Sequence, residues 1–152
     1  VVDPKLRQQM IEEMDQIFAM FPSLKCQGLC DDTCGQEVTM TGVELIRLGG
    51  ARPTAKLEAW IDDDGYHHMV PNQPIGDEMR CRLLEYDTAQ CSAYADRPAS
   101  CRGIHNIVDY LCPHGCISKN PMYEHEFGFL LMELRELHDR ILKISAMTGV
   151  PQ

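Results

Sequence analysis

Hydrophobic residues recur at helical spacing in two segments, one near each end of the chain. In residues 4–21 the apolar side chains are spaced about 3.6 residues apart, Asp3 can cap the helix, and Pro4 suits its first position. This stripe consists of Leu6, Met10, Met14, Ile17, Phe18 and Phe21. A second helix is predicted from Asn120-Pro121 to Gly149. Its apolar face consists of Phe127, Leu130, Leu131, Leu134, Leu137, Ile141 and Ile144. We expect the two terminal helices to pack on each other.

Shorter elements are predicted between the terminal helices. Thr41-Gly42-Val43-Glu44 has the pattern of a capping box and predicts a helix that ends at Gly49-Gly50. Alternating residues around the Asp64-Gly65 turn predict a β-hairpin over residues 57–70, and a second hairpin is predicted at 80–93. Residues 95–121 have too little apolar periodicity to form a stable packed structure on their own, so we expect bound metal to organise them. The sequence therefore predicts one small α+β domain over residues 1–152, in which N- and C-terminal helices brace a cysteine-rich centre with short β-hairpins.

The charge balance bears on possible partners. The chain has 23 acidic and 14 basic side chains and a formal net charge of −9. An acidic chain repels a phosphate backbone, so we do not expect a nucleic-acid partner. The first residues lack the basic and apolar regions of a signal peptide, and no apolar run has the length of a membrane span. We therefore expect a cytoplasmic protein without a membrane partner, whose acidic surface faces a protein partner.

The candidate chemistry lies in eight cysteines. Three of them form a C-x3-C-x3-C run, and two others form the loop Cys-Pro-His-Gly-Cys. Thiols placed one helical turn or one tight loop apart can converge on a single soft metal ion. Without export, structural disulfides would lack their usual compartment, which favours metal ligation. The candidate ligands are Cys26, Cys30, Cys34, Cys81, Cys91, Cys101, Cys112 and Cys116.

Part of this pattern resembles a known family. The segment Cys81-Arg-Leu-Leu, followed by Cys91-Ser-Ala-Tyr-Ala-Asp-Arg-Pro-Ala-Ser-Cys-Arg102, is similar to the signature of the YkgJ-type cysteine-cluster proteins, described as zinc- or iron-chelating. The resemblance covers about residues 26–102. It implies an upstream cluster of four cysteines, of which Cys26, Cys30 and Cys34 are three, whereas Thr33 occupies the remaining position. The loop that carries Cys112 and Cys116 could supply the missing ligand.

Two cofactors fit four-cysteine sites. Zinc accepts four thiolates at pair spacings such as Cys26/Cys30 and Cys112/Cys116, and a 4Fe-4S cluster also takes four cysteines. The resemblance extends to flagellin lysine methylases, which carry this motif and are linked to a 4Fe-4S cluster, so we favour the iron-sulfur cluster and keep zinc as the alternative. Arg97 and Arg102 are candidates for neutralising cofactor thiolates or donating hydrogen bonds to sulfur. Ion pairs with carboxylates are the alternative role for both arginines.

The role expected for the metal is structural or redox-sensing. An enzyme or electron-transfer subunit, for example one related to protein lysine methylation, is the alternative, although the chain has no G-x-S-x-G motif and no P-loop. A purely structural zinc module is a further alternative. His67 and His68 should point to opposite faces of a strand, so they cannot both bind one metal. His114 is a conceivable ligand within the Cys112–Cys116 loop, and we expect residues 62–65 to form a solvated turn rather than a calcium site.

Overall fold

The computed structural model of the protein describes residues 3–21, 35–85, 87–88, 90–103 and 122–148. Within these ranges the chain forms four α-helices, one 3-10 turn and seven short strands, six of which follow one another along the sequence. In chain order they are α1 (Pro4–Phe18), β1 (Val38–Met40), α2 (Gly42–Ala51), β2 (Glu58–Ile61), β3 (His67–Val70), β4 (Gln73–Ile75), β5 (Glu78–Arg80), β6 (Leu84–Glu85), β7 (Gln90–Cys91), a 3-10 turn (Tyr94–Asp96), α3 (Ala99–Gly103) and α4 (Glu124–Thr148). This confirms the predicted α+β class with terminal helices.

The terminal helices pack on each other, as their stripes predict. The Asp3 side chain accepts a 2.8 Å hydrogen bond from the Lys5 N–H and so caps α1, with Pro4 in its first turn. All six residues of the predicted α1 stripe are buried, although the helix ends at Phe18 rather than at Phe21. They share one core, the helical core, with the buried α4 residues Leu130, Leu134, Leu137 and Ile141. Helical spacing thus identified both packed faces.

The predicted start of the C-terminal helix is wrong. The helix begins at Glu124, and Asn120 and Pro121 lie outside the described residues. Met122 is only 3% exposed and lies in the helical core in a non-helical, bridging conformation. The Tyr123 N–H then donates to Glu126 Oε1 at 3.4 Å. Because Met122 is buried in a non-helical conformation, the helix begins only at Glu124.

Helix α2 runs further than its glycines suggest. It continues through Gly49 and Gly50 to Ala51, so the prediction that these residues end it is wrong. Neither glycine adopts the positive φ with which a glycine typically ends a helix. A Cβ at Gly50 would lie 1.9 Å from Arg7 Nη2, the end of a flexible side chain that would have to move.

A three-stranded antiparallel sheet has the order β1-β3-β2. The predicted 57–70 hairpin is confirmed as β2 and β3, and Gly65 has a φ of +85° in the turn between them. Asp62 Oδ1 stabilises this turn by accepting the N–H groups of Asp64 and Tyr66 at 2.9 and 3.0 Å. Strand β1 was not predicted; its three residues pair with β3 from far away in the sequence.

Two further hairpins follow the sheet. Strands β4 and β5 pair around Gly76, whose φ is +61°, and they are too short for an alternating pattern to predict. The predicted 80–93 hairpin is present with shorter strands, β6 and β7.

A second core, the sheet core, lies beside these elements and consists of Val38, Met40, Leu48, Met69, Leu83 and Ala93. Among the described residues, no helix combines the length and apolar character needed to cross a membrane.

Candidate metal centre

Three of the eight candidate cysteines lie in the described residues. Cys81, Cys91 and Cys101 are partly buried, and all three pack against the sheet core. They reach this core from three different local structures: Cys81 lies just before the turn that leads into β6, Cys91 lies in β7, and Cys101 lies in α3. The fold therefore brings three thiols that are separated in sequence to the same apolar cluster. The other predicted ligands, Cys26, Cys30, Cys34, Cys112 and Cys116, lie outside the described residues, as do Thr33 and His114.

The β6–β7 hairpin positions the first two of these thiols. Leu84 pairs with Cys91 across the hairpin, and the Leu84 N–H donates to the Cys81 carbonyl at 3.0 Å. Burial raises the pKa of the Cys81 thiol, and the nearby Cys91 thiol raises this pKa further. The two sulfurs are thus close enough to interact electrostatically. A metal that binds here would displace protons from both thiols.

Cys101 lies on the short helix α3, which is held by hydrogen bonds from several sides. The Cys101 N–H donates to the Pro98 carbonyl at 3.0 Å, and the Cys101 carbonyl accepts from Arg97 Nη1 at 3.3 Å. Ser100 Oγ donates to the Thr39 carbonyl at 2.7 Å, which ties α3 to β1. In the described part of the segment predicted to depend on metal, residues 95–103, protein groups therefore supply local order as well.

Arg97 and Arg102 both contact backbone carbonyls near the thiols. Arg97 donates to the Tyr94 carbonyl at 3.0 Å and stacks 3.8 Å from the centre of the Tyr94 ring. Burial raises the pKa of the Cys91 thiol, whereas the Arg97 cation acts in the opposite direction. Arg97 is therefore within electrostatic reach of a candidate ligand.

Arg102 lies deeper in the structure than Arg97. It donates to the carbonyls of Arg97 and Ala95 at 2.7 and 2.6 Å, and its guanidinium lies 3.9 Å from the centre of the Phe18 ring. Burial, together with the neighbouring cations Arg97 and Arg47, lowers the pKa of Arg102 to about 10. The carboxylates of Asp96 and Glu44 act on this pKa in the opposite direction, so cations and carboxylates are mixed around Arg102.

Two charged residues of α2 were not singled out from the sequence as parts of the site. Arg47 is buried and donates to Asp15 of α1 at 2.7 Å and to Asp96 of the 3-10 turn at 2.8 Å. Glu44 is buried as well, and burial raises the pKa of its carboxyl group. Its capping-box position was visible in the sequence, but its hydrogen bond to the distant Ala99 was not.

The two histidines of β3 lie on opposite faces of the sheet and have different neighbours. His68 Nε2 is 2.7 Å from Asp62 Oδ2, and the His68 ring stacks on Trp60. His67 faces the other side of the sheet, where a Cβ at Gly42 would lie 3.2 Å from His67 Nε2 and 2.6 Å from His138 Cε1. The predicted opposite orientations of His67 and His68 are confirmed. The 62–65 segment is a turn, as predicted.

The three described thiols do not make a complete metal site by themselves. Within the residues that the structure describes, no three His, Cys, Asp or Glu side chains are grouped so that they could hold a metal ion. The donor chemistry nevertheless fits a soft metal, because partly buried thiols lie beside an apolar cluster and a cation. Further ligands would have to come from the five cysteines outside the described ranges.

Comparison with known proteins places this geometry in context. A family model named CxxCxxCC and described as "Putative zinc- or iron-chelating domain" matches residues 25–125, about two thirds of the chain. The match includes all eight cysteines and extends beyond the 26–102 resemblance to include Cys112 and Cys116. No curated protein and no solved structure matches the chain. The chain belongs to the CxxCxxCC family, in agreement with its resemblance to the YkgJ-type proteins.

Proposed function

We propose that this protein holds a metal centre through cysteine thiolates and that the centre is a 4Fe-4S cluster, with zinc as the alternative. One observation carries the proposal: Cys81, Cys91 and Cys101 come from three separate local structures and pack on the same sheet core. Cysteines that act only as small hydrophobes could pack in the same way, and the family match over residues 25–125, which includes all eight cysteines, favours metal ligation over that interpretation. The remaining ligands would be drawn from Cys26, Cys30, Cys34, Cys112 and Cys116, all within the family match.

The arginines beside the thiols support an anionic centre. Four thiolates around Zn²⁺ or an oxidised 4Fe-4S cluster leave a net negative charge, which is costly to bury without a cation. Arg97 acts on the Cys91 thiol, and Arg102 lies close enough to Arg97 for the two cations to interact. We propose that Arg97 and Arg102 compensate the charge of the loaded centre and, with an iron-sulfur cluster, raise its reduction potential.

The role of the centre in this proposal is structural or redox-sensing. A net charge of −9 suits a protein partner with a basic surface better than a nucleic acid. The resemblance of the cysteine motif to that of flagellin lysine methylases, which are linked to a 4Fe-4S cluster, is our reason for preferring iron-sulfur over zinc. We place the protein in the cytoplasm, where cysteines are kept reduced and available as ligands.

Purification without oxygen, followed by analysis of iron, acid-labile sulfide and zinc, tests the proposal. A brown protein with iron and sulfide in equal amounts is the expected result. A colourless protein with stoichiometric zinc would show that the cofactor is zinc rather than a 4Fe-4S cluster. A native protein with neither metal, whose cysteines are all in disulfides, would contradict metal binding altogether.

A pair of variants identifies the ligands. Cys101→Ser should lose metal and unfold more easily, because the free energy of ligand binding is also free energy of folding. Ser92→Ala is the matched control, since it changes a small side chain next to Cys91 without removing a thiol. If Cys101→Ser kept the metal content and stability of the Ser92→Ala protein, Cys101 would not be a ligand.

A further inference from the structure

Glu44 is a buried carboxylate that joins two parts of the fold. It is 2% exposed and lies in the first turn of α2. Its Oε1 atom accepts the Thr41 N–H at 2.9 Å, which is the local contact of a capping box, and it also accepts the Thr41 hydroxyl at 3.0 Å. Its Oε2 atom accepts the Ala99 N–H at 2.6 Å, from a residue 55 positions away in the sequence. A helix cap alone does not require this second contact.

The Ala99 contact joins Glu44 to the short helix that carries the candidate ligand Cys101. Ala99 is the first residue of α3, and Cys101 follows it by two positions. Ala99 itself is fully buried in the helical core, whereas Cys101 packs on the sheet core. Helix α3 thus lies between the two cores, and the Glu44 hydrogen bond sets the position of its first backbone N–H. The hydrogen bond that joins α3 to β1, from Ser100 Oγ to the Thr39 carbonyl, is exposed.

Both carboxylate oxygens are needed for these contacts. Each oxygen accepts from a different part of the chain, one from Thr41 and the other from Ala99. A glutamine has the same length but one oxygen, so its amide N–H₂ would face a backbone donor on one side. A buried donor without an acceptor costs free energy, so a glutamine here would release either Thr41 or Ala99.

We propose that Glu44 is a positioning residue for the metal centre, because it holds α3 so that the Cys101 thiol is oriented for a metal before the metal binds. This inference rests on the proposed metal-binding function. Groups that orient the ligands of a metal contribute to affinity, because the site then loses less conformational freedom on binding. Glu44 acts through the backbone of α3 and does not itself bind the metal in this proposal.

Titration of the reduced, metal-free protein with Co²⁺ under anaerobic conditions tests the assignment. The intensity of the thiolate-to-cobalt charge-transfer absorption reports how many thiolates bind the ion, and competition with Zn²⁺ extends the measurement to tighter binding. We expect Glu44→Gln to weaken Co²⁺ affinity about 10- to 100-fold, the range typical of groups that support metal ligands, and to reduce the charge-transfer intensity.

The control separates positioning from general loss of stability. Leu6→Ala removes a buried side chain at the end of α1 that is remote from Phe18, the α1 residue in contact with Arg102. It should destabilise the protein while leaving Co²⁺ affinity and absorption at the wild-type values. If Leu6→Ala weakened Co²⁺ binding as much as Glu44→Gln, the effect would be general destabilisation and the proposal would be wrong.

A second variant keeps the test decisive if Glu44→Gln does not fold. Glu44→Asp keeps the charge and both oxygens but is one methylene shorter, so its carboxylate is too short to hold both Thr41 and the Ala99 N–H. We expect the same loss of affinity, and wild-type Co²⁺ binding by Glu44→Asp would overturn the inference. If the wild-type protein bound neither Co²⁺ nor Zn²⁺, the proposed function itself would be contradicted. If the wild-type protein and both Glu44 variants bound Co²⁺ equally well, only the role of Glu44 would be contradicted.

Discussion

Arg47 Nε and Asp96 Oδ1 lie 2.8 Å apart, and this contact joins α2 to the 3-10 turn that precedes α3. The Arg47 side chain is 7% exposed, so its charge depends on acceptors inside the protein. Asp15 of α1 is the second acceptor, at 2.7 Å, but its side chain is 57% exposed. One buried guanidinium therefore links three elements around the candidate metal centre.

The two acceptors of Arg47 should contribute unequally to stability. Asp96→Ala removes the more buried acceptor and should lower the free energy of unfolding by about 1–3 kcal/mol. Asp15→Ala removes an exposed one and should cost about 0–1 kcal/mol, because water screens that pair. Urea denaturation of both variants measures the difference. Equal losses would show that Asp96 has no special role in satisfying Arg47.

The contact between the terminal helices predicts a second pair of outcomes. Leu134 is fully buried in the helical core, so Leu134→Ala should lower the free energy of unfolding by about 2–5 kcal/mol. Met132 lies two residues away and is 63% exposed, so Met132→Ala should change it by no more than about 0.5 kcal/mol. Thermal and chemical denaturation provide both values. A large loss for Met132→Ala would mean that this exposed side of α4 is covered in solution.

Two glycines should respond oppositely to alanine. Gly49 lies within α2, and a Cβ there meets no described atom within 4 Å, so Gly49→Ala should stabilise the protein by about 0.5–1 kcal/mol. Gly65 has a φ of +85° in the β2–β3 turn, where an alanine is strained, and Gly65→Ala should destabilise it by about 1 kcal/mol. Melting temperatures distinguish the signs. A Gly65→Ala protein as stable as the wild type would contradict the turn geometry.

The pair of histidines near Gly42 predicts a dependence of stability on pH. Burial lowers the pKa of both His67 and His138 below their ordinary value of 6.5, and the Arg135 cation lowers that of His138 further. Asp62 opposes the shift at His67, and Asp139 opposes it at His138. The unfolded chain therefore binds more protons than the folded one just below pH 6.5. Stability should be complete above that value and fall as the pH drops, by up to about 1.4 kcal/mol per pH unit for each extra proton bound.

A substitution attributes this pH dependence to its source. His138→Gln removes one of the two titrating rings and should make the fall in unfolding free energy between pH 6.5 and 5 shallower. His125→Gln, at an exposed position of the same helix, is the control for a histidine-to-glutamine change on α4. Urea denaturation at several pH values makes the comparison. If the unfolding free energy of His138→Gln fell with pH as steeply as that of the wild type, His138 would not be a source of the pH dependence.

The elements predicted best are those whose signals are local. The stripe from Leu6 to Phe21 named the buried face of α1, and the Asp64-Gly65 turn identified the β2–β3 hairpin. The start of α4 was misplaced because the burial of Met122 is a tertiary effect that overrides the helix-start signal at Asn120-Pro121. Strand β1 was missed for a related reason: three residues carry too little pattern, and only their pairing with β3 makes them a strand.

By itself, the sequence determined the α+β class, the packed faces of the terminal helices, the eight candidate thiols and the resemblance to a metal-chelating family. These properties follow from periodicity, turn residues and spacing, which act over a few neighbouring positions. Only the tertiary structure decided that Cys81, Cys91 and Cys101 reach the same core, that Glu44 holds the first N–H of α3, and that Arg47 joins α1 to the 3-10 turn. Each of these contacts joins residues far apart in the chain, so it depends on how the helices and hairpins pack against one another.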